Sequence, residues 1–174
     1  MERFSPMLES FSSDEYLKIN SHHKTKSTTG AFCFVIGFFV MATKYWLMKS
    51  EPEEFGIPHL ERLGESFWDG VRNYQVRNMF RDEMRVGDRA LFYHSSTKDI
   101  GVVGEMEIVK VAQVDPTQFD SRSKYYDPKA TKDNPRWIGP VVRFISKFPR
   151  LVTLDEIRVN PIFSTLPLVK KGNR

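Results

Sequence analysis

Residues that can hold an aromatic base and an anion are concentrated in one short stretch in the middle of the chain. From Trp68 the sequence reads Trp-Asp-Gly-Val-Arg-Asn-Tyr-Gln-Val-Arg-Asn, which joins aromatic rings, two arginines and two asparagines around a predicted helix start. Free backbone N–H groups at a helix start attract a phosphate, and an aromatic side chain can stack on a nucleobase. The stretch therefore favours nucleic acid with an exposed base as a ligand.

A second group of polar residues follows two predicted strands. Ser50 ends the strand that begins at Tyr45, and Tyr93, His94 and Ser95 end another. Binding groups tend to gather where strands give way to loops, so we expect these four residues to share one mouth of the sheet. No Ser-His-Asp arrangement can be asserted from spacing alone, and a strand-end histidine is more often a structural hydrogen-bonding residue.

Each of these residues also has a purely structural interpretation. Trp68 could fill the core, as large aromatic side chains usually do. Arg72 and Arg77 could form salt bridges with Asp69 or Asp82. Both interpretations remain open at this point.

Charge and composition narrow the classes of partner. The net charge is +4, and the acidic and basic residues before Met41 balance, so the excess lies in the rest of the chain. A positive excess favours a polyanionic partner, although a basic surface that serves only solubility explains it equally well. The single cysteine and four histidines show no metal-binding spacing. With no glycine-rich phosphate loop and no convincing carboxylate pair, we predict no metal, no cofactor and no catalytic residue.

The first forty residues differ in composition from the rest. Residues 1–30 are rich in Ser, Thr, Lys and His, a composition typical of disorder, and residues 31–42 form an apolar run too short to span a bilayer comfortably. Three interpretations stay open: Met41 is the true start, the segment is a genuine tail or hydrophobic anchor, or it is a signal peptide. We predict an N-terminal extension over residues 1–42, one domain over residues 43–174, and no stable membrane association.

The domain itself is predicted from periodicity and turn residues. Strands are expected over 45–48, 89–94, 101–112 and 137–144, and short helices over 58–63 and 154–157. Asn73 is expected to cap a helix running to about Met84, with Val76, Met79 and Phe80 on its buried face. Residues 115–135 are expected to form a long ordered loop. Short strands, few helices and no βαβ rhythm indicate an α+β, barrel-like domain.

Four motifs in a fixed order closely resemble the EVE domain over about residues 44–174: Lys44-Tyr-Trp-Leu-Met-Lys-Ser-Glu-Pro52, Trp68-Asp-Gly-Val-Arg-Asn-Tyr-Gln-Val-Arg-Asn78, Phe92-Tyr-His-Ser95 and Tyr126-Asp-Pro-Lys129. The resemblance implies a PUA-like mixed β-barrel, similar to the YTH readers of methylated adenine in RNA, that holds an unpaired base in an aromatic pocket. It also implies a cytoplasmic protein for a bacterial-type member and a nuclear one for a eukaryotic member. The bare Met-Ala-Thr lead-in from Met41 is more similar to bacterial members.

The resemblance assigns roles residue by residue. It implies a base-binding pocket built from Ser50, Trp68, Asn73, Tyr74, Tyr93, His94 and Ser95, and phosphate contacts from Lys49, Arg72 and Arg77. It implies a non-enzymatic module that reads a modified nucleobase, either a modified cytosine or a methylated adenine, in DNA or RNA.

Two other functions stay open. The first is a hydrolase acting on a modified nucleoside, as in the similar ASCH domains, with Lys49 and Glu51 as the reactive pair. We expect Lys49 and Glu51 instead to be solvated charges at a strand end. The second is a general protein or RNA interaction module.

One departure from the family pattern concerns the end of the chain. The resemblance implies a final strand beyond residues 169–174, and this chain stops there. We therefore expect the final C-terminal strand to be missing and one sheet edge to be left unpaired. Lys170, Lys171 and Arg174 are expected to be poorly ordered.

Overall fold

One mixed β-sheet runs through the molecule, whose computed structural model describes residues 9–11, 19, 43–164 and 167–169. Its strands are β1 (Glu9–Phe11), β2 (Tyr45–Ser50), β3 (Glu65–Phe67), β4 (Arg89–His94), β5 (Gly101–Val114) and β6 (Ile138–Thr153). They lie in the order β1-β2-β4-β5-β6-β3. The β2–β4 pair is parallel and the others are antiparallel.

The helices are short and have local stop and start signals. They are α1 (Pro52–Phe55), α2 (Ile57–Leu63), α3 (Tyr74–Asp82) and α4 (Leu154–Val159), with 3-10 turns at Pro116–Phe119, Pro161–Phe163 and Pro167–Val169. The side chain of Asn73 caps α3, and Thr153 with Glu156 forms a capping box at α4. Each cap satisfies backbone N–H groups that a helix start leaves without a partner.

The central strands are buried on both faces. Trp46 and Met48 of β2 pack with Ala90 and Phe92 of β4 in a core that also contains residues of α2 and α3. The alternate residues of β2 and β4 point to the opposite face. There Leu47, Leu91 and Tyr93 pack in a second core with residues of α4 and with Ile19.

The α+β class is confirmed, but the expected closure into a barrel is wrong. The sheet described here is open and has two edge strands, β1 and β3, each three residues long. Among the described strands, β1 pairs only with β2 and β3 pairs only with β6. Five of the six strands lie within residues 43–164, and β1 adds the sixth. Strand β3 was not predicted, and β6 continues nine residues past the predicted end at Phe144 to Thr153.

Both termini are described only in part. Residues 9–11 form β1 and Ile19 is buried, whereas residues 12–18 and 20–42, including the apolar run, lie outside the described residues. The proposed boundary at residues 42 and 43 stays a prediction. Beyond Thr153 the described residues form α4 and two 3-10 turns, and Lys170, Lys171 and Arg174 lie outside them. None of the helices in the described ranges is long and apolar enough to cross a membrane.

Candidate nucleic-acid interface

Ser50, Tyr93, His94 and Ser95 are brought together where the parallel strands β2 and β4 end. Ser50 pairs with His94 in the register of the two strands. The backbone N–H of Ser95 then donates to the carbonyl oxygen of Ser50 at 2.9 Å. These backbone bonds fix four of the predicted pocket residues relative to one another.

The side chains of this strand-end group point to two sides of the sheet. Ser50 lies two residues after Met48 and so on the same face of the strand. Its hydroxyl donates to the carbonyl oxygen of Phe55 at 2.8 Å. His94 likewise lies two residues after Phe92 and on its face of the strand. Its Nε2 accepts the Ile57 N–H at 3.3 Å. Both therefore face α1 and α2. Tyr93 belongs to the second core on the opposite side, so the structure divides the predicted pocket.

His94 is half-buried and neutral in this arrangement. Burial lowers the pKa of its imidazole from the ordinary value, because a charged ring is poorly solvated there. The ring also lies edge-on to Phe92, with 5.6 Å between ring centroids. With Nε2 acting as an acceptor, Nδ1 carries the proton.

Trp68 lies in the first core. Its side chain is 3% exposed, and its ring packs edge-on against Phe92 at 5.4 Å and against Phe55 at 6.1 Å. The rings of Phe55, Trp68, Phe92 and His94 thus form one continuous aromatic group. Phe55 and His94 are its half-buried members, whereas Trp68 and Phe92 are buried.

A cavity of about 310 Å³ lies next to His94. Its walls come from α2, β4, β5 and β6 and comprise Ile57, Pro58, His94, Val103, Lys147, Phe148, Pro149, Arg150 and Leu151. Its size is at the lower end of the range of small-ligand sites, about 300–1,000 Å³. The walls are mostly apolar, with one imidazole and two cationic side chains.

Asn73 and Tyr74 stand apart from the strand-end group, at the start of α3. The Oδ1 of Asn73 accepts N–H bonds from Gln75 at 2.8 Å and Val76 at 3.1 Å, so the side chain caps the helix as predicted. Tyr74 is 46% exposed. Its ring stacks obliquely on Trp137 at 4.7 Å.

Two arginines flank the exposed ring of Tyr74. The guanidinium of Arg77 lies 4.7 Å from the ring centroid, and that of Arg136 lies 5.7 Å away and donates to the tyrosine hydroxyl. Cations at this distance from a ring are attracted to its face. The result is a surface that combines the exposed ring of Tyr74 with the partly buried guanidinium groups of Arg77 and Arg136, which we call the α3 surface. Arg136 is also ion-paired with Asp127 at 2.9 Å.

Arg72, expected at a phosphate, holds the long loop in place. Its Nη1 contacts Asp115 Oδ2 at 2.7 Å, with the two side chains 16% and 2% exposed. Its other guanidinium nitrogens donate to the Tyr125 carbonyl oxygen and the Thr117 hydroxyl. Asp115, which the sequence analysis did not single out, also accepts the Gly70 N–H at 3.0 Å. The only sequence signal for it was its place at the start of the polar loop.

The ordered loop predicted over residues 115–135 extends in the structure over residues 115–137, between β5 and β6, and buried polar side chains hold it. The amide of Gln118 bonds to backbone groups of Asp115, Arg136 and Trp137 at 2.7–3.0 Å. The ring of Tyr125 lies against Gly70, where an added Cβ would come within 2.7 Å of it. The close approach at Gly70 is therefore made by Tyr125, whereas Tyr126 remains 44% exposed.

Lys49 is buried, so the expectation of a solvated charge at this position is wrong. It is 8% exposed, and burial lowers the pKa of its ammonium group, partly offset by the charge of Glu51. Alternation along β2 places it on the same side as Leu47 and opposite Ser50.

In the described ranges no three His, Cys, Asp or Glu side chains come together as a metal site.

Comparison with known proteins places these features in a family. The model of the EVE domain matches residues 44–174. Thymocyte nuclear protein 1 of zebrafish is 48% identical over 124 residues, which cover 65% of this chain and 53% of that protein. The human thymocyte nuclear protein 1 is 42% identical over 127 residues. The chain spans about half the length of these curated relatives.

Solved structures show the same fold. A crystal structure of a protein from Pseudomonas syringae superposes with a TM-score of 0.71 at 47% identity, covering 75% of this chain and 87% of that one. The crystal structure of the human THYN1 protein in complex with 5-methylcytosine-containing DNA superposes with a TM-score of 0.61 at 43% identity. It covers 66% of this chain and 72% of that chain.

Proposed function

The chain belongs to the EVE-domain family, and we propose that it binds nucleic acid and recognises a modified base, a modified cytosine in DNA, without altering it chemically. The complex of the human relative with 5-methylcytosine-containing DNA supports this choice of ligand. The vertebrate relatives are named as nuclear proteins, which fits DNA as the partner.

The convergence of Ser50, His94 and Ser95 at the ends of β2 and β4 carries the proposal. Beside them lie the aromatic group and the cavity of about 310 Å³. Of the strand-end group only His94 lines this cavity, together with the ring of Phe148, whereas Ser50 and Ser95 are buried. An unpaired base inserted here would meet the imidazole first, and the serine hydroxyls would become available only after a local rearrangement. Contact with Trp68 would require a rearrangement of the core, since its side chain is 3% exposed.

The α3 surface is the proposed contact with the neighbouring nucleotides. Tyr74 offers an exposed ring for stacking, and the guanidinium groups of Arg77 and Arg136 lie 4.7 Å and 5.7 Å from its centroid. Arg77 is the proposed source of positive charge, because Arg136 is ion-paired with Asp127. Stacking on an exposed aromatic ring does not depend on base identity. We therefore assign general affinity to the α3 surface and discrimination to the strand-end group. The phosphate contact implied for Arg72 stays a prediction. Its guanidinium nitrogens already donate to groups of the long loop, so we leave Arg72 out of the α3 surface.

The two exposed tyrosines allow a matched test of the α3 surface. Tyr74→Ala should weaken binding of single-stranded DNA on the order of tenfold, because loss of one stacking contact costs about 1–3 kcal/mol. Tyr126→Ala removes a ring of similar exposure, 44% against 46%, and should leave affinity nearly unchanged. Fluorescence anisotropy at fixed salt measures both. Equal losses in the two variants would reject the α3 surface as the specific contact.

A second function is favoured by one observation, the burial of Lys49 beside Glu51. A lysine with a lowered pKa is a recurrent feature of catalytic sites. The alternative is hydrolysis of a modified nucleoside by this pair. Product release from N-acylated cytidine that disappears in Lys49→Met would establish it over binding alone, and an unchanged nucleoside would exclude this substrate.

A further inference from the structure

The edge of β2 is covered by a segment from outside the family domain. In the register of β1 with β2, Glu9 lies opposite Leu47, Ser10 opposite Trp46 and Phe11 opposite Tyr45. Among the described strands β2 would otherwise be outermost on this side of the sheet. Its N–H and C=O groups there would be open to pairing with another chain.

A second contact of the same segment reaches the core. Ile19 is 1% exposed and belongs to the second core, together with Leu47, Leu91, Tyr93 and Leu168. Burial of the Ile19 side chain contributes about as much to the free energy of unfolding as burial of another aliphatic core side chain of this size. Backbone pairing at residues 9–11 and side-chain burial at residue 19 are independent contacts, and both precede the matched residues 44–174.

We infer that the β2 edge and the adjoining second core form a strand-acceptor groove, and that its occupant is the chain's own N-terminal segment, docked through β1 and anchored by Ile19. The mode is β-strand addition, in which main-chain hydrogen bonds give affinity and side-chain pockets give specificity. The occupied strand is the one that carries Lys49 and Ser50, and Ile19 packs in the same core as Tyr93. Residues 9–11 and Ile19 are thus part of the folded unit.

Point substitutions in the full chain test the anchor. Ile19→Ala should lower the thermal midpoint on the order of 10 °C, since it leaves a cavity in a packed core. Val159→Ala is the matched control, because Val159 is an aliphatic residue that is 80% exposed, and its midpoint should stay within about 1 °C of the parent. A midpoint for Ile19→Ala equal to that of the control would overturn the inference.

Backbone pairing is tested separately by the double variant Ser10→Pro, Phe11→Pro. Alternate N–H groups of an edge strand face its neighbour, so two successive prolines remove a ladder donor whichever residue supplies it. Hydrogen exchange of the peptide covering residues 43–50 should become faster in this variant and in Ile19→Ala, but not in Val159→Ala. Unchanged protection in the proline variant would contradict pairing along β2.

The source of the occupant is settled by mass and concentration. A monomer in sedimentation velocity, with a thermal midpoint independent of protein concentration, supports docking of the chain's own segment. A dimer whose midpoint rises with concentration would contradict it, because the strand would then come from a second copy by exchange.

Discussion

His94 is the residue in the strand-end group whose protonation state the fold controls. Its Nε2 accepts the Ile57 N–H, and burial lowers its pKa. Protonation would remove that acceptor and place a charge in a poorly solvated position. The folded protein therefore favours the neutral form of the ring. A base placed beside it would meet an uncharged partner.

The fold should lose stability on acidification through His94. Its folded pKa lies below the unfolded value of about 6.5, so the unfolded chain takes up a proton first as the pH falls. The free energy of unfolding should decline below about pH 6.5 until the folded pKa is passed. In His94→Gln this part of the decline should be absent. Urea denaturation of both proteins between pH 7 and pH 5 measures it, and parallel curves would refute the assignment.

Trp68 and Tyr74 show what sequence can and cannot predict about single residues. Both rings occur in one motif, six residues apart, yet one is 3% and the other 46% exposed. The capping role of Asn73 was predictable, because a cap depends on residues two and three positions away. The burial of Trp68 depends on Phe92 and Phe55 from other elements, and local spacing carries no information about those contacts.

Among the elements, the loop over residues 115–137 determines how the start of α3 is held. Arg72 and Asp115 join it to the Trp68–Tyr74 stretch through a largely buried ion pair, and the indole of Trp137 supports Tyr74. Asp127 in turn bonds the indole N–H at 2.7 Å. The α3 surface therefore depends on the loop as well as on the helix.

Removing the buried carboxylate should cost far more than removing an exposed one. Asp115→Asn leaves the Arg72 charge without its partner, which costs about 3–5 kcal/mol in comparable buried pairs. Glu65→Gln breaks the Arg143–Glu65 pair, which has the same 2.7 Å separation but side chains 51% and 46% exposed, and should cost at most about 1 kcal/mol. Urea denaturation gives both values. Similar losses would show that the loop is not held by this pair.

Element boundaries were predictable where the signals are local. Asn73 marks the start of α3, and Gly64, with φ of 74°, ends α2. The three residues of β3 carry no period of their own, and their strand exists because Glu65–Phe67 pair with Val141–Arg143. The extension of β6 to Thr153 likewise follows from pairing with β5. Such pairings join residues far apart in sequence.

At the scale of the whole molecule, the sheet separates two cores. One side carries α1, α2 and α3, with the aromatic group, Ser50 and His94, and the other carries the second core with Tyr93 and Ile19. The α+β class was predictable from element types. Barrel closure was not, because it depends on whether the outermost strands meet, and β1 and β3 do not pair with each other.

The positive charge of the chain sets a condition on any binding measurement. With a net charge of +4, the proposed affinity for DNA would include a contribution from counterion release, which is independent of sequence and falls with salt. Discrimination between two bases at the same salt concentration cancels this contribution.

The most direct measurement is equilibrium binding of the full chain to two single-stranded DNA oligonucleotides that differ only in one 5-methylcytosine. At fixed salt we predict at least a tenfold preference for the methylated strand, about 1.4 kcal/mol. The preference should be smaller in duplex DNA, where extruding the base costs a few kcal/mol. Equal affinity for both single strands, falling together as salt is raised, would contradict recognition of this modified base.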